Sequence, residues 1–306
     1  MEQIADNVKQ LRKSAMLLSS SSDEERRGLL IRLASALEAD KEYLFSENAK
    51  DVGEAKKAGI KDSVLHRLVF TPSKLASALE GLRQLASLPD PIGRIKEKRL
   101  LDEGLVLEKV SVPIGVIGMI FEARPDAMIQ IIGLALRTGN GIILKGGKEA
   151  RHSNEAIYAT VKKALDGAPY VMLLSTHSDV DAILKMEKDI DLLIPRGSNA
   201  FVRHVMDNTH IPVLGHADGI CAVYVDKSAD LDKAVRVVFD SKTQYPAACN
   251  AAETLLVHSS VAKEFLPLMK TVFDNAGVEI RGDERTRHSL MSNRQPKKIF
   301  TRSFSI

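Results

Sequence analysis

From Pro113 onward the sequence alternates short apolar runs with amphipathic stretches, and few folds satisfy that alternation. The runs are Val116–Ile120, Ile142–Leu144, Val171–Leu174, Leu192–Ile194 and Cys221–Val225. Helical patterns fall between them; Asp126–Arg137 is one, and it stops at Gly139. Short apolar strands alternating with helices predict an α/β fold built on a doubly wound parallel sheet. Such a sheet binds its ligands at the carboxyl ends of its strands.

The first ninety residues or so carry a different pattern. Ile4, Val8, Leu11 and Ala15 share one helical face. Ser22 with Glu25 matches a capping box, and Leu29, Leu30, Leu33 and Leu37 form the apolar stripe behind it. Thr71-Pro72 suits the N-cap and first position of another helix, whose buried face is Leu75, Leu79, Leu82 and Leu85. Pro89-Asp90-Pro91-Ile92-Gly93 breaks the helical region. Leu100–Val112 predicts a hairpin around Asp102-Glu103-Gly104. Beyond Cys249, Glu253–His258 reads as a strand and Ser259–Asn275 as a helix. From about Ser289 neither period persists, and a solvated, disordered tail is expected.

A chain of 306 residues, 44% hydrophobic and 27% charged, can bury a large core and divide into domains. It has no apolar run long enough to cross a membrane. Met1–Ala15 mixes acids with bases and lacks the apolar centre of a signal peptide, so a cytoplasmic location is expected. The two cysteines, Cys221 and Cys249, make neither a disulfide framework nor a metal-ligand spacing. A net charge of +3 is too small to suggest nucleic acid. From Arg287 onward there are bases and no acids, so the rest of the chain is slightly acidic.

No GxGxxG or GxxxxGK[ST] motif follows any expected strand. The candidate nucleotide segment is instead Leu144-Lys145-Gly146-Gly147-Lys148, at a strand's carboxyl end. Its glycines allow close backbone approach, and its lysines supply charge for phosphate or ribose oxygens. A Gly-Gly turn between solvated lysines is the competing reading. Cys249 lies in the loop Tyr245-Pro246-Ala247-Ala248-Cys249-Asn250, where a thiolate could act as a nucleophile and Asn250 could donate to an oxyanion. Cys221 sits in an apolar strand and reads as a buried, inert thiol.

The stretch from Pro113 through Phe121-Glu122-Ala123-Arg124-Pro125-Asp126, then Gly139-Asn140-Gly141 and Lys145–Ala150, resembles the cofactor half of the aldehyde dehydrogenase superfamily. Pro195-Arg196-Gly197-Ser198 and Asp240–Asn250 narrow the resemblance to the gamma-glutamyl phosphate reductases. It runs from near the N-terminus to about Arg285. It implies that residues 1–96 are the helical part of a cofactor domain, 97–112 an oligomerisation-type hairpin, and 113–240 the NADP-binding α/β domain. Residues 241–288 would begin an incomplete α/β catalytic domain, and 289–306 would be an atypical tail.

The resemblance also implies roles. Cys249 matches the nucleophile, Lys145 the lysine on the adenosine ribose, and Gly197 with Ser198 the turn facing the pyrophosphate. Lys148 stands where NAD-preferring relatives often carry an acid, which favours NADPH over NADH. The segment Gly215–Gly219 lacks the water-activating glutamate of hydrolytic relatives, as suits a reductase. His216, within it, is a candidate proton donor or a structural histidine. Ala123 replaces an oxyanion asparagine. Arg124, Ser241 and Lys242 are candidate contacts for the substrate's phosphate or carboxylate, or structural residues. The implied reaction reduces L-glutamyl 5-phosphate with NADPH to L-glutamate 5-semialdehyde in proline synthesis. The implied partners are glutamate 5-kinase and further copies in a homo-oligomer. Relatives continue past residue 306, so a shortened chain with exposed apolar edges and poor solubility is expected, with an inactive NADP-binding fragment as the alternative.

Overall fold

A computed structural model describes residues 2–122, 124–197, 199–215, 220–246 and 250–291. The chain divides into two units, Met1–Ala217 and Asp218–Ile306. The first opens with five helices, α1 (Glu2–Ser19), α2 (Asp23–Ala39), α3 (Lys41–Lys57), α4 (Asp62–Leu68) and α5 (Pro72–Ser87). Their ends follow the capping rules. At α2 the Ser22 hydroxyl accepts from the Glu25 N–H, and the Glu25 carboxylate accepts from the Ser22 N–H at 2.6 Å. At α5 the Thr71 hydroxyl accepts from Lys74, with Pro72 in the first turn.

An antiparallel hairpin follows, β1 (Ile95–Asp102) with β2 (Leu105–Val110), turning at Gly104 in the left-handed region. All its strand residues are exposed. The sheet proper then begins: β3 (Val116–Ile120), α6 (Pro125–Arg137), β4 (Gly141–Lys145), a 3-10 turn (Lys148–Ala150), α7 (Arg151–Ala164), β5 (Val171–Leu173), α8 (His177–Ile183), β6 (Leu192–Pro195) and α9 (Asn199–Asp207). Helix α6 ends as its sequence requires. Gly139, at φ +70°, donates to the Leu136 carbonyl and Asn140 donates to that of Ala135, which closes the last turn.

The four strands pair in parallel in the order β5-β4-β3-β6. Strand period two splits their side chains between two cores. Ile117, Ile142, Leu144 and Val171 pack with the apolar stripes of α2, α5, α6 and α7. Val116, Ile120, Ile143 and Leu193 pack with Val8, Leu11 and Ala15 of α1, Val180 and Ile183 of α8 and Val205 of α9. Strands β3, β4 and β5 step outward in one direction, whereas β6 returns to the opposite side of β3. That reversal opens a crevice beyond the carboxyl ends of β3 and β6.

The second unit contains β7 (Ala222–Val225), α10 (Leu231–Thr243), β8 (Thr254–Val257), α11 (Ser259–Asn275) and α12 (Glu284–Met291). Here the structure corrects the sequence reading. The run Cys221–Val225 is a strand but not a fifth member of the first sheet. It pairs in parallel with β8 and packs on Val238, Phe265 and Met269. The unit boundary accordingly falls at 217/218, earlier than the domain limit at residue 240 expected from sequence. The tail beyond Met291 lies outside the described residues.

Two buried guanidiniums tie the helices of the first unit together. Arg26 is 2% exposed and its Nη2 donates to both Asp90 oxygens at 2.8 Å. Arg137, 1% exposed, pairs with Asp23 and donates to the Leu85 and Leu88 carbonyls at 3.2 and 2.7 Å. Removing Arg137 takes the buried donor from the Leu85 and Leu88 carbonyls, while Asp23 keeps Arg27 at 2.8 Å. Arg137→Met should therefore lower the unfolding free energy by about 3 kcal/mol in urea titrations. A loss below about 1 kcal/mol, the size of an ordinary substitution, would show that this network does not hold the helices.

Candidate functional site

Lys145 is the last residue of β4 and is only 5% exposed, an unusual burial for a lysine. Its ammonium donates to the Gly146 carbonyl at 2.6 Å. Burial pushes its pKa below the ordinary lysine value, while the charges of Glu149 and Asp179 pull it partly back. Gly146 and Gly147 carry the chain out of the strand through tightly filled space. A Cβ on Gly146 would collide with the Asn154 carboxamide, and one on Gly147 with the Glu149 carboxylate. Glycine here leaves room for those two side chains to approach the backbone closely, and a larger residue would displace them. Lys148 follows, exposed, at the start of the 3-10 turn.

This strand exit borders a cleft of about 60 Å³, lined by Gly146, Gly147, Lys148, Asn154, Leu173 at the end of β5 and Leu174 just after it, among others. Beyond β5, Asp179 accepts from the Ser175 and Thr176 N–H groups at 3.0 and 2.7 Å. Burial alone would raise its pKa, but those bonds, the Thr176 hydroxyl and the Lys145 charge hold it below the usual carboxylate range. The N-terminus of α7 is already filled from inside. Asp51 of α3, buried, accepts from the His152 N–H, the Ser153 N–H and the Ser153 hydroxyl at 3.0, 2.8 and 2.6 Å.

At the end of β3, Glu122 pairs with Arg67 at 3.0 Å. Arg124 is exposed, with Nη2 3.7 Å from the Asp126 carboxylate. Asp126 is buried in the first turn of α6, and its Oδ1 has no hydrogen-bond partner. At the end of β6, Arg196 and Gly197 are exposed and lead into α9. Arg124, Lys145–Lys148 and Gly197 thus share the carboxyl edge of one sheet. In the second unit, Ser241 and Lys242 lie in the last turn of α10. The Ser241 hydroxyl donates to the Val237 carbonyl at 2.6 Å, so its proton is committed within the helix. Asn250 is exposed in the connection before β8. Cys249, Ser198, His216 and Ala123 lie outside the described residues.

The aldehyde dehydrogenase family profile matches residues 1–301. The chain is 50% identical over 287 residues to the gamma-glutamyl phosphate reductase of Parasynechococcus marenigrum (strain WH8102), covering 92% of this chain and 66% of that protein. It is 50% identical over 289 residues to the enzyme of that name from Nostoc sp. (strain PCC 7120 / SAG 25.82 / UTEX 2576), covering 93% of this chain and 67% of the relative. The crystal structure of the Thermotoga maritima gamma-glutamyl phosphate reductase superimposes with a TM-score of 0.89 at 34% identity, covering 96% of this chain and 72% of that one. The chain belongs to the aldehyde dehydrogenase family, in its gamma-glutamyl phosphate reductase branch. It spans 66% of the length of the Parasynechococcus relative, slightly under two thirds.

For a gamma-glutamyl phosphate reductase relative, the residues that sequence reasoning missed are those behind the strand exit. Asn154 and Asp51 are buried polar groups whose partners come from distant segments or are absent. A signal for Asn154 was present. It occupies the buried face of α7 with Ile157 and Val161, where an amide breaks an apolar stripe.

A desolvated lysine ammonium costs folding free energy below its lowered pKa, and that cost vanishes once the lysine is neutral in both folded and unfolded chains. Lys145→Met should therefore raise the thermal midpoint at neutral pH. The gain should shrink as pH rises through the depressed Lys145 pKa towards the ordinary lysine value. A midpoint that falls at neutral pH would mean that the bond to Gly146 outweighs the burial of the charge.

Proposed function

We propose that the strand exit at Lys145–Lys148 holds the adenosine end of NADPH. On this reading the chain carries the cofactor half and the nucleophile of an enzyme that reduces L-glutamyl 5-phosphate to L-glutamate 5-semialdehyde, releasing phosphate, in proline synthesis. The observation behind this is the buried Lys145, followed by two glycines closely approached by the Asn154 and Glu149 side chains, at the carboxyl edge of a doubly wound sheet. That donor set suits a hydroxyl- and phosphate-bearing ligand. Lys145 would hold the ribose, exposed Lys148 a 2′-phosphate, and Gly197 with Ser198 the pyrophosphate. When bound, the nicotinamide supplies the hydride for the reduction.

The covalent step belongs to Cys249. Its thiolate attacks the acyl carbon, a C–S bond forms, the C–O bond to phosphorus breaks, and phosphate leaves with the electron pair. Asn250 would donate to the oxyanion; once hydride has reduced the thioester, His216 would hold the proton exchanged with the adduct's oxygen, the C=O re-forms, the C–S bond breaks and Cys249 leaves as thiolate with the electron pair. Arg124 and Lys242 are the candidate contacts for the phosphate or the glutamate carboxylate. Ser241 is weaker for an anion, because its hydroxyl proton is already given to Val237. The exposed apolar residues of the hairpin, Leu100, Leu101, Leu105 and Leu107, support homo-oligomer formation. No helix among the described residues is long and apolar enough to cross a membrane.

The deciding assay runs in reverse. Glutamate semialdehyde with NADP should give NADPH absorbance that depends on phosphate and disappears in Cys249→Ala. NADPH binding without turnover would instead identify a nucleotide-binding chain lacking catalysis. Neither binding nor turnover in folded protein would overturn the reading. Lys148→Glu should shift the binding preference from NADPH towards NADH by about 10-fold, the weight of one charge-assisted contact.

A further inference from the structure

Asn154 is 4% exposed, yet its carboxamide does no structural work. Its Oδ1 is buried without a hydrogen-bond partner, and no bond from its Nδ2 to any described residue accompanies it. Its neighbours on the same helix behave differently. Ser153 binds Asp51 and Asn48, and Thr160 donates to Asp40 at 3.0 Å. An unpaired buried amide costs roughly 1–3 kcal/mol, so an amide kept in such a place is expected to meet a partner that is not part of the chain.

The surroundings indicate which partner. Asn154 lines the cleft next to Lys145 and Lys148. Its nitrogen packs closely on the Gly146 backbone, in the space that a Cβ there would take. Leu173 and Leu174 supply apolar surface, and the glycine backbone supplies a wall without side chains. If Lys145 takes a ribose, the base attached to that ribose must lie within a few ångströms, and this cleft adjoins it. A carboxamide offers one donor and one acceptor side by side, the complement of the adenine edge carrying the 6-amino group and N7; a carbonyl at position 6 puts two acceptors on that edge, which no rotation of the amide can match.

We propose that Asn154 reads the adenine of the bound nucleotide, making the cleft selective for adenine over bases with a carbonyl at the same position. This rests on the nucleotide reading given above and extends it from the ribose and phosphates to the base. It makes Asn154 a specificity residue whose partner arrives with the ligand.

The test compares NADPH with its hypoxanthine counterpart, in which the 6-amino group is replaced by a carbonyl. Both are titrated into the 306-residue chain by following nucleotide fluorescence. The unaltered chain should bind the adenine form about 10-fold more tightly, the discrimination expected of a paired amide contact. Asn154→Leu, close in volume and without a polar group to strand, should retain the fold. It should hold or raise the thermal midpoint of the ligand-free chain and abolish the preference between the two nucleotides. Asn154→Asp, which removes the donor, should lose most of the preference too. Equal binding of both nucleotides by the unaltered chain overturns the inference while leaving the nucleotide reading intact. So does a lowered midpoint in Asn154→Leu with preference unchanged, since that marks a structural amide. If the unaltered folded chain binds neither form, the nucleotide reading itself falls.

Discussion

The first unit depends on a parallel sheet covered on both faces. With α2, α5, α6 and α7 on one side and α1, α8 and α9 on the other, both faces of the sheet are closed to solvent and ligands are left to the strand ends. The two ends are treated differently. At the amino end the polar groups are paired. The Asn140 Oδ1 accepts from Ile114 and Gly115 at 2.7 and 2.8 Å. Asp191 accepts from the Val116 N–H at 2.8 Å and from Arg12 of α1 at 2.9 Å. These bonds lock the starts of β3 and β6 and anchor α1. At the carboxyl end the reverse holds. Lys145 is desolvated, and both buried side-chain oxygens without partners among the described residues, Asp126 Oδ1 and Asn154 Oδ1, lie just beyond strand exits. Unpaired buried oxygens beside strand exits are the pattern expected where a fold supports a site.

Much of this architecture was legible in the sequence, for identifiable reasons. The strands at Val116, Ile142, Val171 and Leu192 are short apolar runs because neighbours cover both their faces, and the Ser22 and Thr71 caps carry their own local chemistry. Partner choice was not legible. Cys221–Val225 has the same apolar character as the other runs, and nothing in its composition says that it pairs with Thr254–Val257. Periodicity reports how much of a segment is buried, not against what. The hairpin was anticipated from Leu100, whereas β1 begins at Ile95. Lys96, Glu97, Lys98 and Arg99 show no apolar alternation, and their extended form comes from pairing with β2, including the Lys98–Glu108 ion pair at 2.7 Å.

The candidate site divides along similar lines. Lys145, Gly146 and Gly147 were found because a Gly-Gly pair at a strand's end has a local meaning, which the family resemblance sharpened. Their close packing, in which Asn154 and Glu149 fill the space of two side chains, is a tertiary fact that no local pattern carries. Cys249 and Asn250 were candidates from the chemistry of their loop alone, and the resemblance is what singles Cys249 out as the nucleophile. Ser241 shows the converse. Its hydroxyl looks available in the sequence, but in α10 it bonds back onto Val237, the habit of a serine inside a helix.

The missing dinucleotide motif has a structural explanation. A GxGxxG turn serves to bring a pyrophosphate onto the N-terminus of the next helix, where free N–H groups and the helix dipole favour negative charge. After β4 that position is taken. Asp51 from α3 accepts from the first turn of α7 and places a carboxylate where the phosphate would sit. A second anion there would meet like charge, so the glycines of this connection cannot serve as a phosphate cradle on α7. They serve close packing instead, and recognition along β4 falls to side chains: a buried ammonium, an exposed one, and an amide. The backbone route to a pyrophosphate remains at the exit of β6, where Gly197 leads into α9. The lack of a helix-end phosphate cradle after β4 follows directly from a single carboxylate contributed by α3.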